Sequence, residues 1–178
     1  MNVIVACASK HGSTEGIAEA ITERLGQLGI HAVAHRVDDV SDLDGVEAVV
    51  LGSAVYAGSW MKEATAFAKA NAGALSRMPL WLFSSGPLGT EIHDAEEQPR
   101  QLAELTETLR PRGHRTFFGA LDPSKLGFGE RLVVKAVKAP EGDFRDWGAI
   151  SWWADEIARE LAEDDRAEGP LETGSFGP

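Results

Sequence analysis

The 178-residue sequence has one cysteine, Cys7, and comparatively few cations. A single cysteine cannot form an intramolecular disulfide or a cysteine-based zinc site. The 17 Lys and Arg against 28 Asp and Glu give a net charge of −11, which argues against nucleic-acid binding, because phosphate contacts need clustered cations. The sequence also lacks an apolar run long enough to span a membrane and a recognisable export signal. We therefore expect a cytoplasmic protein whose partners are basic rather than acidic.

Short apolar runs alternate with segments of helical periodicity along most of the chain. The predicted strands are Asn2–Ala8, Ile30–Val37, Ala48–Ser53, Pro79–Ser84 and His114–Leu121. Parallel neighbours require crossover connections of this length, and runs without polar alternation suit a sheet that is covered on both faces. The sequence therefore predicts an α/β fold with a parallel sheet and helices on both faces.

The C-terminal third contains a long connection, a last helix and a polar tail. The helix is predicted near Trp147–Ala162, with Asp146 as its N-cap and a buried stripe that contains Ile150, Trp153, Ile157 and Leu161. The connection Asp122–Phe144 has its own apolar pattern, which predicts a short extra helix. Residues 164–178 offer little to bury, so we expect one domain over residues 1–163 and a disordered tail.

The loop after the first strand carries hydroxyls and a glycine at a predicted helix N-terminus. In open parallel sheets ligands bind beyond the carboxyl ends of the strands. The residues of this loop are Ser9, Lys10, His11, Gly12, Ser13 and Thr14. Free N–H groups and the helix dipole favour a phosphate there, and the loop lacks both a dinucleotide fingerprint and a Walker lysine. The alternative is an ordinary strand–helix turn with a Ser or Thr cap.

The loop after the third strand carries the only tyrosine in the chain. Its residues are Ala54, Val55, Tyr56, Ala57 and Gly58, and Trp60 follows shortly. Tyr56 can stack on a planar heterocycle, whereas Trp60 either joins it or packs under the next helix. The peptide beside Gly58 can turn over at little steric cost, so the Ala57 carbonyl can point toward or away from a ring nitrogen that gains a proton.

The loop after the fourth strand offers backbone donors and acceptors for the edge of a ring. Its residues are Ser85, Gly86, Pro87, Leu88 and Gly89. The three loops thus supply a phosphate site, a stacking site and a ring-edge site in the order that flavin mononucleotide (FMN) requires. In this interpretation the flavin performs the chemistry, so no catalytic side chain and no metal ligand are predicted.

These motifs resemble those of the flavodoxin family over residues 2–162. The first loop is similar to the flavodoxin phosphate loop, and Gly52 through Gly58 resemble the loop whose aromatic side chain stacks on the flavin. Three features are most similar to the menaquinone-dependent protoporphyrinogen oxidase branch: the Gly52–Gly58 pattern, the insert after strand five and Phe144-Arg145-Asp146-Trp147. The resemblance implies strand order 2-1-3-4-5 and an FMN-dependent oxidoreductase or electron carrier. It also implies a quinone, another small molecule or a redox protein as partner, with the residues of the three loops as cofactor ligands.

Other interpretations remain beside this one. Residues 124–139 are locally basic and can meet an anionic membrane surface or a quinone site, or can form a solvated amphipathic lid. A low-molecular-weight phosphatase needs an arginine where Ser13 stands, and a receiver domain needs a carboxylate where Ser53 stands. From a different class, a scaffold that has lost its flavin and binds a partner protein stays open as an alternative.

Overall fold

The computed structural model describes residues 1–86, 99–129, 131 and 141–168. Its strands are β1 (Asn2–Ala8), β2 (His31–Arg36), β3 (Ala48–Tyr56), β4 (Ser59–Trp60), β5 (Leu80–Ser85), β6 (Gly113–Phe117), β7 (Ala120–Leu121) and β8 (Gly142–Asp143). Its helices are α1 (Ser13–Gln27), α2 (Lys62–Ala70), α3 (Ala72–Leu75), α4 (Leu102–Leu109) and α5 (Trp147–Glu168). Two 3₁₀ turns span Val37–Asp39 and Pro123–Lys125.

The main sheet has the predicted α/β topology. Its strands lie in the order β2-β1-β3-β5-β6, and all of these neighbours pair in parallel. The predicted fourth and fifth strands are β5 and β6, so the expected order 2-1-3-4-5 is confirmed. The short strand β4 pairs antiparallel with the end of β3, and β7 pairs antiparallel with β8 in a separate ribbon.

The sheet separates two hydrophobic layers. One layer packs α1 and α5 against β1, β3 and β5, and the other packs α2, α3 and α4 against the opposite face. Every residue of the predicted α5 stripe is buried, and the Asp146 carboxylate accepts a hydrogen bond from the Ala149 N–H at 2.9 Å. Helices therefore cover both faces, which explains why the central strands β1, β3 and β5 are apolar without alternation.

One aromatic contact fixes the centre of the α1/α5 layer. The ring of Phe83 lies directly over Gly52 on the neighbouring strand, where a Cβ atom would come within 2.0 Å of it. Phe83 also packs against Phe117 and Trp153, with ring centroids 6.2 Å away in both cases. Gly52 is thus needed for close packing rather than for an unusual backbone conformation.

Several element boundaries differ from the sequence prediction. The predicted strand His114–Leu121 is divided, because the chain leaves the sheet after Phe117 and Ala120–Leu121 pair with Gly142–Asp143 instead. The helical segment after β4 is divided into α2 and α3 at Asn71, whose side chain donates to the Phe67 carbonyl at 2.9 Å.

The last helix is longer than predicted. It ends at Glu168, so the first residues of the expected tail, 164–168, are helical. Within this extension, Asp164 forms an ion pair with Arg112 at 2.7 Å, which attaches the end of the helix to the start of β6. The rest of the tail and most of the predicted extra helix lie outside the described residues. In the described part of the chain, no helix is long and apolar enough to cross a membrane.

Candidate functional site

The three candidate loops leave the same edge of the sheet from adjacent strands. The register pairs Ala8 at the end of β1 with Ser53 on β3, and Ala54 on β3 with Ser85 at the end of β5. Parallel strands place their carboxyl ends side by side, so the loops that follow them surround one region. The structure thus brings together the described parts of all three predicted segments.

The first loop is shaped by its own polar groups. The Ser9 hydroxyl accepts a hydrogen bond from the Gly12 N–H at 3.1 Å, and Gly12 adopts a left-handed conformation with φ of 84°. Arg36 donates to the Ser9 carbonyl at 3.2 Å and pairs with Glu15, so the Glu15 carboxylate near the loop is neutralised. The N-cap residue of α1 is Gly12, which has no side chain, so α1 does not begin with the Ser or Thr N-cap of the alternative interpretation.

The most informative atom in this loop is the hydroxyl oxygen of Thr14. Thr14 is 0% exposed, and its Oγ1 has no hydrogen-bond partner among the described residues. A buried hydroxyl without a partner costs free energy, and such groups are rare unless a ligand completes them. Thr14 lies in the first turn of α1, where the helix dipole favours an anion. The loop therefore fits a phosphate group.

The other residues of this loop differ in how far they are buried. Ser13 lies at the start of α1 and is half-buried, His11 is half-buried, and Lys10 is exposed. The first loop also lines a cavity of about 490 Å³ through His11, Gly12 and Ser13. The remaining walls of this cavity come from residues 120–122, 125, 141–143 and 145.

The ribbon of β7 and β8 is bonded to the first loop. The Ala120 N–H donates to the Ser13 hydroxyl at 2.8 Å, and the Arg145 guanidinium donates to the Ser13 carbonyl at 3.3 Å. Gly119 lies close to this contact, because a Cβ there would be in ordinary van der Waals contact, 3.5 Å from both the Ser13 hydroxyl and the Gly86 nitrogen. Sequence reasoning missed these contacts, although Gly119 inside an apparent strand was a possible signal.

Arg145 is held in place from three sides. Its guanidinium binds Asp143 at 2.6 and 2.8 Å and lies 4.4 Å from the centre of the Trp147 ring. The hydrogen bond from Arg145 also keeps the pKa of the Asp143 carboxyl below its usual value. Gly16 on α1 leaves the room for this guanidinium, because a Cβ there would lie 2.5 Å from it.

The loop after β3 forms a tight hairpin. Tyr56 pairs with Ser59, and the two residues between them have positive φ, 48° at Ala57 and 70° at Gly58. Positive φ at both central positions is typical of the two-residue turns that connect antiparallel strands. Tyr56 is 47% exposed at this edge of the sheet. Ala54 is buried and Val55 is half-buried, so these two residues support the hairpin more than they offer side chains to a ligand.

Trp60 packs inside the protein, so the interpretation in which it contacts a ligand is wrong. It is only 3% exposed, and its indole nitrogen donates to the Ser84 hydroxyl at 2.8 Å. The same hydroxyl lies 2.9 Å from Nε2 of His114, and burial lowers the pKa of His114 to about 4. The backbone N–H of Trp60 donates to the side-chain oxygen of Gln101 at 3.1 Å, and this hydrogen bond joins the hairpin to the start of α4.

The loop after β5 is described only at its beginning. Ser85 is buried at the end of β5, and Gly86 has φ of 101° and donates to the Phe117 carbonyl at 3.0 Å. The predicted ring-edge residues Pro87, Leu88 and Gly89 lie outside the described residues. Past this gap, the Arg100 N–H donates to the Gly58 carbonyl at 3.1 Å, so the start of α4 lies against the Tyr56 hairpin.

The thiol of Cys7, the one candidate nucleophile considered from the sequence, does not belong to this site. Cys7 is buried, and burial with the nearby Glu15 raises the pKa of its thiol to about 12, which makes it unreactive at neutral pH. Among the residues that the structure describes, no group of three or more His, Cys, Asp or Glu side chains is arranged to hold a metal ion.

Comparisons with known proteins agree with this architecture. A flavodoxin from the domain Archaea has 16% identity and a TM-score of 0.61, over 91% of this chain and 99% of that one. A flavodoxin-type WrbA-like protein from Agrobacterium tumefaciens has 16% identity and a TM-score of 0.58, over 91% of this chain and 98% of that one. At this level of identity, such likenesses show the fold.

A larger protein contains a similar unit. The rubredoxin oxygen:oxidoreductase of the anaerobe Desulfovibrio gigas has 15% identity and a TM-score of 0.63, over 91% of this chain but only 36% of that one. No curated protein sequence matches the chain significantly. The model of the flavodoxin domain family matches residues 4–147, and with the strand order and the loop positions this shows that the chain belongs to the flavodoxin domain family.

Proposed function

We propose that the protein binds FMN at the carboxyl edge of the sheet and acts as an FMN-dependent oxidoreductase or electron carrier. The observation that carries this proposal is the buried, unpartnered hydroxyl of Thr14 at the start of α1. A phosphate placed there completes its hydrogen bonding and gains from the helix dipole. FMN ends in such a phosphate, and the family of the chain supports this choice of ligand.

Each of the three loops would contact a different part of FMN. Ser9, Lys10, His11, Gly12, Ser13 and Thr14 would surround the phosphate, with Ser9 shaping the loop through its bond to Gly12. Tyr56 would cover one face of the isoalloxazine ring, since its ring is half-exposed at the edge where the loops meet. Ser85 and Gly86, with the residues that follow them, would meet the edge of the ring.

Once bound, FMN supplies reversible transfer of one or two electrons. The protein then needs no nucleophile. The Ala57 carbonyl would accept a hydrogen bond from the ring after the Ala57–Gly58 peptide turns over, a movement that Gly58 makes inexpensive. The net charge of −11 disfavours added negative charge on the ring and steers a basic partner toward the protein.

The resemblance to protoporphyrinogen oxidase gives a finer form of this proposal. An anionic porphyrinogen would be oxidised to the porphyrin in three two-electron steps at the flavin, and three quinone molecules would each accept two electrons and two protons. Support comes from the ribbon-bearing insert after β6 and from Arg145-Asp146-Trp147 at the start of α5. The test is anaerobic incubation of the FMN-loaded protein with protoporphyrinogen and menadione. No porphyrin formed above the uncatalysed rate would refute this finer form.

Only part of residues 124–139, the segment that would contact a membrane or a quinone, belongs to the described residues. Lys125 lies beside the first loop, and the Arg131 guanidinium donates to the Leu126 carbonyl at 3.1 Å. The other two cations of this segment, Lys135 and Lys138, lie outside the described residues. Vesicle sedimentation with anionic and neutral lipids tests the contact, and binding only to anionic vesicles is the expected result.

The central experiment is titration of the purified, flavin-free protein with FMN. We expect quenching of flavin fluorescence with saturation at one FMN per chain, and anaerobic reduction of the bound flavin by dithionite. Failure of the protein to bind FMN at saturating concentration would overturn the redox proposal. It would favour the alternative, a flavin-free scaffold that binds a partner protein.

A further inference from the structure

The β7–β8 ribbon brings a cation to the first loop. Lys125 follows β7, and its ammonium group lies 3.7 Å from the point where a Cβ of Gly12 would stand. Both residues line the same cavity of about 490 Å³. The first loop supplies hydroxyls, N–H groups and the exposed Lys10, and a segment more than 100 residues away in sequence adds a second ammonium group to the same cavity wall.

A compact turn holds Lys125 in this position. The Asp122 carboxylate accepts hydrogen bonds from the Ser124 N–H at 2.9 Å and from the Ser124 hydroxyl at 2.6 Å. The Lys125 N–H then donates to the Asp122 carbonyl at 3.1 Å, which closes the 3₁₀ turn. These bonds fix the backbone that carries Lys125, so the ammonium does not need to be ordered by the ligand alone.

Among the described residues, Lys125 forms no direct ion pair, and its charge acts on Asp122 at a longer range. Arg145 is paired with Asp143, and the hydrogen bonds from Ser124 and the nearby Lys125 keep the pKa of Asp122 below its usual value. The third acid of the cavity wall is Glu141. Within the described part of the chain, no acidic side chain forms an ion pair with Lys125.

We propose that Lys125 binds the phosphate group of the cofactor and makes the protein select FMN over unphosphorylated riboflavin. This inference rests on the proposed function, because it assigns a specificity role within the same site. A dianionic phosphate beside the first loop would meet the Thr14 hydroxyl on one side and the Lys125 ammonium on the other. Ammonium groups bind phosphate as point charges, so the contribution depends on charge and on salt concentration.

The test compares Lys125→Gln and Lys125→Arg with wild type for FMN and for riboflavin. The matched control is Lys69→Gln, which removes an equal charge from an exposed ion pair with Glu104 on the surface. In low salt, we expect Lys125→Gln to bind FMN about tenfold more weakly and riboflavin unchanged. Lys125→Arg and Lys69→Gln are expected to match wild type, and about 0.5 M salt is expected to reduce the difference.

A second measurement does not depend on flavin. Inorganic phosphate is expected to raise the melting temperature of the flavin-free wild type more than that of Lys125→Gln. Equal losses for FMN and riboflavin, or equal behaviour of Lys125→Gln and Lys69→Gln, would overturn the role of Lys125. If wild type binds neither flavin, the proposed function fails, and the phosphate measurement still decides whether Lys125 belongs to an anion site.

Discussion

The indole nitrogen of Trp60 lies 2.8 Å from the hydroxyl oxygen of Ser84, and this bond is buried beneath the Tyr56 hairpin. An indole N–H can only donate, so the Ser84 oxygen accepts this bond, and the same oxygen lies 2.9 Å from Nε2 of His114. Burial lowers the pKa of His114 to about 4, so its ring is neutral at pH 7. This chain of bonds joins β4, β5 and β6 directly below the candidate flavin site.

The first prediction concerns the stability of the protein in acid. Burial lowers the pKa of His114 to about 4, whereas an unfolded histidine titrates near 6.5. Well above pH 6.5, the His114 side chain is neutral in both the folded and the unfolded protein. As the pH falls from 6.5 toward 4, the unfolded chain takes up the proton first, so the free energy of unfolding decreases, by about 3 kcal/mol.

Urea denaturation at a series of pH values measures this effect. The His114→Gln variant keeps a polar side chain but does not titrate, so we expect it to lack this part of the pH dependence. Parallel stability curves for wild type and variant between pH 6.5 and 4 would show that His114 does not cause the decrease.

The second prediction separates binding from folding at Thr14. Thr14→Val keeps the shape of the side chain and removes a buried hydroxyl that has no partner in the structure. We expect the flavin-free variant to be about 1 kcal/mol more stable than wild type in thermal or urea denaturation. FMN binding should nevertheless weaken more than riboflavin binding. A variant that loses stability and binds both flavins as wild type does would remove Thr14 from the phosphate site.

The third prediction tests the position of the ring. Tyr56 is 47% exposed, so Tyr56→Ala is expected to leave the melting temperature of the flavin-free protein nearly unchanged. The substitution should weaken the binding of FMN and of riboflavin equally, by about three- to tenfold, because stacking contributes about 0.5–1.5 kcal/mol. Tyr56→Phe serves as the control, since it keeps the stacking ring. Wild-type affinity in Tyr56→Ala would show that Tyr56 does not contact the ring.

The fourth prediction uses two glycines in different surroundings. In Gly52→Ala the new methyl group would lie 2.0 Å from the buried Phe83 ring, so we expect a loss of about 2–3 kcal/mol in unfolding free energy. Gly26→Ala adds a methyl group with nothing within 4 Å in α1, so it is expected to stabilise by about 0.5–1 kcal/mol. Equal effects of the two variants in urea denaturation would contradict the packing described for Phe83.

The parts of the fold that depend on local pattern were predicted well. The apolar run Asn2–Ala8 and the Asp146 cap were found as expected, because burial on both faces and capping each leave a signal within a few residues. The hairpin at Tyr56 was missed. Ala57 has a positive φ that a non-glycine residue rarely adopts, and the two-residue strand after it is too short to show a period.

The parts of the site that depend on distant contacts were not predictable. The first loop was identified from its glycine and hydroxyls, but the approach of Ala120, Lys125 and Arg145 to it depends on how the whole chain folds. The basic character of the insert was visible in the sequence, whereas its position beside Gly12 was not. A local sequence pattern can indicate a binding loop, but it does not contain the residues that close over it.

The hydrogen bonds that join Ser13 to Ala120 and Arg145 can form only after the later residues have been synthesised. The partners of Ser13, Ala120 and Arg145, follow it in the sequence by 107 and 132 residues. Domains emerge from the ribosome N-terminal end first, so most of the domain must be synthesised before this loop is complete. The proposed flavin site would therefore be complete only after the segment through Arg145 has been synthesised and has folded against the first loop.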